Sequence, residues 1–304
     1  DALPISLGIE LGQALAEAIG VKFSPLPFNA DENMGDEIRV TVVATGLSRP
    51  NVRRQNIQVV QGGLRTGTDN VAVGLPPLGG MEYGTANTNQ MVVEFMGMQL
   101  PGSSFIQPDA PLRQALTEAA ARQVTRLTGN GNEWMPLGKM VDEKVVVNGI
   151  VALLATGGST NHTMHLVAMA RAAGIIINWD DFSELSDVVP LMARLYPNGP
   201  ADINHFQAAG GVPVLVRELL KGGLLHEDVN TVAGFGLSRY TMEPWLNNGE
   251  LDWREGATAP LDDQVIATFD KPFSRHGGTK VLSGNLGRAV MKTSAVPVEN
   301  QIIE

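Results

Sequence analysis

The chain is 304 residues long, 43% apolar, and carries a formal net charge of −10 with an isoelectric point near 5.0. Such acidity argues against a nucleic-acid partner, whose phosphate backbone needs a basic face, and no apolar run approaches the roughly 20 residues a bilayer span requires. The N-terminus lacks the basic, apolar, small-residue order of a secretory leader, so a cytoplasmic protein of roughly two domains with no membrane partner is expected.

Leu11 to Ile19 reads as a short amphipathic helix and Ile38 to Ala44 as a strand of β-branched residues. Between Leu47 and Gly80 the order is weak, with Gly62-Gly63, Gly67, Pro76-Pro77 and Gly79-Gly80 as punctuation, so a linker is expected there. Asn87, Thr88 and Asn89 precede a helix expected to begin near Gln90, which they are placed to cap. The methionines between positions 91 and 98, together with Trp134 and Trp179, are expected in the core. Pro111 to Leu127 predicts a strong helix. Pro111 suits its first turn, Leu112, Leu116, Ala119, Ala120 and Val124 mark one face, and Gly129 ends it.

Val145 to Ala155 is β-branched and aliphatic enough to predict a buried strand. Gly157 and Gly158 then turn the backbone, Ser159, Thr160 or Asn161 caps a following helix, and Gly174 ends that helix. Free N–H groups at such a start, backed by the helix dipole, favour a phosphate or carboxylate. This makes Gly157, Gly158, Ser159, Thr160 and Asn161 the leading candidate site. An ordinary turn between elements is the competing reading.

His162 and His165, three apart, share a helix face but have no obvious third ligand, so packing or a hydrogen bond is favoured over metal. Asp187 to Leu195 predicts a helix interrupted by Pro190, and Asp202, Asn204 and His205 read as an Asx turn. Val212 to Leu220 predicts a helix between glycine pairs. Beyond Leu261 short strands are expected at Gln264 to Thr268, Lys280 to Leu282 and Ala289 to Met291. Arg275 and His276, with Lys280 close by, form the densest basic cluster, suited either to a phosphate or to a solvated loop. Glu133 and Glu143 carry no assignment without a partner.

The segment Gly157-Gly158-Ser159-Thr160-Asn161, with Gly84-Thr85-Ala86-Asn87-Thr88-Asn89-Gln90, Leu100-Pro101-Gly102-Ser103-Ser104, Gly129-Asn130-Gly131-Asn132-Glu133-Trp134, Ala201-Asp202-Ile203-Asn204-His205-Phe206 and Ser283-Gly284-Asn285-Leu286-Gly287, resembles the dihydroxyacid and 6-phosphogluconate dehydratase family, its 6-phosphogluconate branch in particular. The likeness covers about residues 83 to 304. Shorter likenesses precede it: positions 31 to 47 resemble the last core strand of tubulin-like cell-division GTPases, and positions 5 to 28 more weakly resemble a helix and strand of periplasmic solute-binding proteins. The expected organisation is therefore a helix-strand segment at 1–30, a tubulin-like strand with linker at 31–82, an α/β dehydratase domain fragment of strands and helices at 83–262, and the beginning of a β-rich C-terminal domain at 263–304.

The resemblance implies dehydration of 6-phospho-D-gluconate to 2-dehydro-3-deoxy-6-phosphogluconate in the Entner–Doudoroff route, with an iron–sulfur cluster held by cysteine thiolates and a serine base in a Gly-Arg-Phe-Ser-Gly motif. It also implies a sugar-acid phosphate ligand at the Gly157 to Asn161 turn, Asn87 and Asn89 lining the site, and a possible homodimer. The chain contains no cysteine. Where the family has a ligand in a Cys-Thr-Phe-Tyr context, Gly80-Met81-Glu82-Tyr83 stands here, and the serine motif does not occur. The expectation is an inactive chain to which no cluster binds. Two alternatives are a cluster-free module binding a sugar-acid phosphate and an interaction module resembling a division protein.

Overall fold

The structure is a computed structural model that describes residues 83–296. The helix expected at Leu11 to Ile19, the strand at Ile38 to Ala44, the linker before Gly80 and both N-terminal likenesses lie outside the described residues. Helices α1 (Thr85–Phe95), α2 (Pro111–Leu127), α3 (Leu137–Met140), α4 (Glu143–Thr156), α5 (Asn161–Ala172), α6 (Trp179–Val188), α7 (Ile203–Ala208) and α8 (Gly211–Lys221) come first. Three separate antiparallel hairpins follow: β1 (Asn230–Thr231) with β2 (Gly234–Phe235), β3 (Met242–Asn247) with β4 (Glu250–Glu255), and β5 (Lys280–Gly284) with β6 (Gly287–Met291). Helices mixed with small sheets agree with the α/β class in its coarse sense.

The element at the centre corrects the expected strand, because Val145 to Ala155 lies within helix α4. Nearly every residue from Val145 to Thr156 is buried, so the segment is apolar all round and shows neither a helical nor a strand period. Its ends settle the matter. The Asp142 carboxylate accepts from the Val145 N–H at 2.9 Å, an N-cap. At the other end Gly157 takes the left-handed conformation at φ +56°, and the Gly157 and Gly158 amides return to the Leu154 and Leu153 carbonyls at 3.4 and 3.0 Å, a Schellman close. Asn148 is tolerated in this core because its side chain exchanges two bonds with the His226 backbone, at 3.0 and 2.8 Å. Met91, Val92, Phe95 and Met96 of the α1 region, Leu166 of α5 and Phe182 of α6 belong to the same core.

Other expectations divide. Helices α2 and α8 and the strands β5 and β6 form where they were expected, and α5 ends before Gly174 at φ +79°. Helix α1 begins at Thr85 rather than near Gln90, so Asn87, Thr88 and Asn89 are helical and cap nothing. In place of a helix from Asp187 to Leu195, α6 starts earlier on a capping box: Asn178 Oδ1 accepts from Asp180 N, and Asp181 Oδ2 from Asn178 N, each at 2.7 Å. Beyond α6 the chain is extended, and Leu191, Ala193 and Leu195 make isolated bridges to Ser274, Ile266 and Ala201. Gln264 to Thr268 is consequently a bridging partner and not a strand of its own. Trp134 is not a core residue; it is 55% exposed, with the Lys139 ammonium 4.1 Å from its ring centroid. The apolar face expected on α2 buries only Leu116.

Candidate functional site

The turn between α4 and α5 is fixed by hydroxyls from α1. Thr88 Oγ1 donates to the Gly84 carbonyl at 2.8 Å and accepts from the Ser159 N–H at 3.0 Å. Thr85 Oγ1 lies 2.9 Å from Ser159 Oγ and accepts from Asn161 Nδ2 at 3.3 Å. One helix turn along, Asn89 Oδ1 meets His162 Nε2 at 3.0 Å. Of the residues singled out in the sequence, Asn89, Ser159 and Asn161 are thus brought into one polar cluster, joined by Thr85, Thr88 and His162. Asn87 lies on the same helix, half-buried.

The free amides expected at the start of α5 are largely engaged. Ser159 Oγ accepts from the Asn161 N–H at 3.3 Å, His162 N donates to the Ser159 carbonyl at 2.9 Å, and Thr163 N donates to the Thr160 carbonyl at 3.1 Å. A tight opening turn of this kind satisfies donors that would otherwise await an anion. Thr160, the capping residue, makes no side-chain cap. What the cluster offers a ligand is therefore side-chain hydroxyl and amide more than bare helix dipole.

His162 is fully buried. Burial, and secondarily the nearby His165, lowers its pKa to about 4, so it is neutral at physiological pH. With Nε2 donating to Asn89, Nδ1 carries the lone pair and has no partner among the described residues. The rings of His162 and His165 meet edge to face at 5.6 Å. No group of three or more His, Cys, Asp or Glu able to hold a metal occurs among the described residues.

The other side of the turn is closed by the C-terminal part of the chain. Asn198 Nδ2 donates to the carbonyls of Thr156 and Gly157 at 3.1 and 2.9 Å, while Ser294 Oγ donates to Asn198 Oδ1 at 2.8 Å. Gly278 N donates to the Leu154 carbonyl at 2.8 Å, and a Cβ on Gly278 would fall 2.4 Å from Gly157 Cα, so only glycine allows this approach. Arg275 and His276, on the same loop, are exposed. His276 Nδ1 lies 3.9 Å from Asp187 Oδ1, the carboxylate that also takes Lys280. That pairing identifies part of the basic cluster as loop charge already matched.

A second polar centre had no assignment from the sequence. Glu94 is fully buried on α1 and accepts from Gly102 N at 2.6 Å, Ser104 N at 2.9 Å and the Ser104 hydroxyl. Burial outweighs these bonds and pushes its carboxyl up to about 7. Arg113 braces the same loop, donating to the carbonyls of Ser103 and Ile106 at 2.5 and 2.8 Å. Tyr240 and Trp253 complete the brace through the carbonyls of Gln99 and Pro101, at 2.7 and 3.0 Å. The Leu100-Pro101-Gly102-Ser103-Ser104 motif is thereby held as a rigid loop. A glutamate seven residues before a Pro-Gly-Ser-Ser turn gives no period or spacing by which to find it.

Asp202 and His205 act as expected of an Asx turn: the carboxylate caps α7 through His205 N at 2.9 Å.

A thiolate-held cluster does not fit this chain, since none of its 304 residues is cysteine.

The family model described as Dihydroxy-acid/6-phosphogluconate dehydratase N-terminal matches residues 79–240. The chain is 90% identical over 222 residues to the phosphogluconate dehydratase of Escherichia coli K12, an alignment covering 73% of this chain and 37% of that protein. It is 62% identical over 222 residues to the phosphogluconate dehydratase of Pseudomonas aeruginosa, covering 73% of this chain and 36% of the relative. With the dihydroxy-acid dehydratase of a Nocardioides species it is 35% identical over 212 residues, 69% of this chain and 35% of the relative. The matched region spans little more than a third of the length of each.

Proposed function

The chain belongs to the dihydroxy-acid/6-phosphogluconate dehydratase family, and from that membership we propose that it retains the sugar-acid phosphate scaffold of a phosphogluconate dehydratase but does not dehydrate by itself. One observation carries the reading: 90% identity to a phosphogluconate dehydratase over 222 residues coexists with a complete absence of cysteine. Iron–sulfur chemistry needs thiolate donors, and none of the residues of this chain supplies one.

Residues Ser159, Asn161 and Asn89 would meet the ligand's hydroxyls, with the buried His162 holding the Asn89 amide in place and Gly157, Gly158 and Thr160 shaping the turn. Asn87, two positions from both Thr85 and Asn89 on α1, lies off the face that meets the turn, and Arg275 is the basic group on the adjoining loop left for a phosphate, His276 being shared with Asp187. Positions 1 to 82 are proposed to be a composite of the two N-terminal likenesses, in keeping with an identity that covers 73% of the chain. DNA reads across codons 80 to 84 test this, since a break in the frame removes the composite.

The functional test pairs turnover with binding. Purified chain is expected to give no 2-keto-3-deoxy acid from 6-phosphogluconate above background, yet a saturable calorimetric isotherm with the same compound. Turnover would overturn the inactivity, and a flat isotherm the scaffold reading.

A further inference from the structure

The β5–β6 hairpin carries a cation that nothing in the fold accounts for. Its ladder pairs Lys280 with Met291 and Val281 with Val290. Along β6 and just beyond, Val290 and Lys292 are half-buried while Met291 between them is exposed, so Lys292 shares the packed face with Val290. On the facing strand, Val281 packs on the core and Thr279 is 2% exposed. Continuing the ladder by one step sets Thr279 opposite Lys292, with both side chains on that packed face and within cross-strand reach.

Neither group is satisfied. The Thr279 hydroxyl has no hydrogen-bond partner among the described residues. Lys292 makes no side-chain hydrogen bond or ion pair there, and burial alone lowers its pKa, to about 8. The two cations of the hairpin strands themselves are matched, Lys280 by Asp187 and Arg288 by Asp180. An ammonium drawn out of water without a counter-charge is costly, and so is a buried hydroxyl left unbonded. Found as cross-strand neighbours, they are complementary to one incoming group, an oxyanion that takes a charge-assisted bond from the ammonium and a neutral one from the hydroxyl.

We propose that Lys292 and Thr279 form an oxyanion subsite, which takes the phosphate or the carboxylate of the sugar-acid ligand. The assignment rests on the reading given under the proposed function, and the two are separable by experiment. Calorimetry of the full chain would use 6-phosphogluconate, inorganic phosphate and gluconate against the wild type and the Lys292→Met, Lys292→Arg and Thr279→Val variants. Lys292→Met is expected to weaken 6-phosphogluconate at least about tenfold, Thr279→Val several-fold, and Lys292→Arg least, in line with the worth of hydrogen bonds to charged groups. Competition by phosphate alone assigns the phosphate end, and competition by gluconate alone the carboxylate end.

Melting in ligand-free buffer keeps the test independent of folding. Removing an unmatched buried charge should leave Lys292→Met at least as stable as the wild type, whereas a purely structural lysine would lose stability. Equal affinities of wild type and Lys292→Met for 6-phosphogluconate overturn the subsite while sparing the scaffold. Binding of phosphate that depends on Lys292, without binding of 6-phosphogluconate, keeps the subsite and removes the scaffold. No binding of any probe removes both.

Discussion

Glu94 shows how a single residue sets the pH behaviour of the structure. Its carboxyl, ordinarily near 4.5, is pushed up to about 7 by burial, so between those values the folded chain holds a proton that the unfolded chain has released. Stability contributed by this group is therefore full below about pH 4.5 and lost as pH rises through 7, by roughly 3 kcal/mol. His162 works in the opposite direction. Its folded pKa is depressed to about 4, so its contribution is full above 6.5 and lost as pH falls towards 4. Because the two overlap, the wild-type curve alone does not isolate Glu94. Denaturant unfolding of Glu94→Gln and wild type at pH 4.5, 5.5, 6.5 and 7.5 should show the stability difference moving in the variant's favour by a few kcal/mol across the range. A difference that stays constant with pH would contradict the assignment. The hydrogen bonds from Gly102 and Ser104 explain why a carboxyl is kept in so dry a place: it ties the 100–104 loop to α1.

At the scale of elements, the junction after α4 is where conformation and packing coincide. Gly157 is left-handed, and a Cβ there would lie 2.5 Å from Asn198 Nδ2 and 2.8 Å from Ser294 Oγ. Gly174 is also left-handed, yet nothing stands within 4 Å of its missing Cβ. Gly174→Ala should thus cost only the conformational term, about 1 kcal/mol, and Gly157→Ala roughly 1–3 kcal/mol more because the Asn198–Ser294 bridge must shift. Thermal or urea unfolding of both variants checks the difference, and equal losses would refute the tight closure.

The same junction shows what could be read in the sequence and what could not. Pro111, Gly129, Gly174 and the Gly210-Gly211 pair are local stop and start signals, and the helices they bound appear at those places. The apolar run at Val145 to Ala155 has no polar face to reveal its period, and only its length and the flanking Asp142 and Gly157 favour a helix. Asn178 and Asp181 carry a capping box that places α6, ahead of the helix expected from Asp187 to Leu195. In the candidate site, Ser159 and Asn161 were legible from the turn. Thr85, Asn198 and Ser294 were not, because they arrive from 74 residues before or 41 to 96 residues beyond their partners, and no local pattern encodes such pairings.

For the whole molecule, the described residues form a packed helical core with hairpins around it, and the sequence of that core is close to a dehydratase's. The decisive departure is compositional, namely the lack of any thiol. The proposed inactivity requires that this polypeptide cannot hold iron and sulfide. Anaerobic reconstitution with ferrous iron and sulfide, followed by desalting and quantification of both elements, tests it directly. The prediction is a colourless chain with iron and sulfide far below stoichiometric amounts and no gain in 6-phosphogluconate turnover. A brown protein retaining stoichiometric sulfide, with dehydration above background, would contradict it.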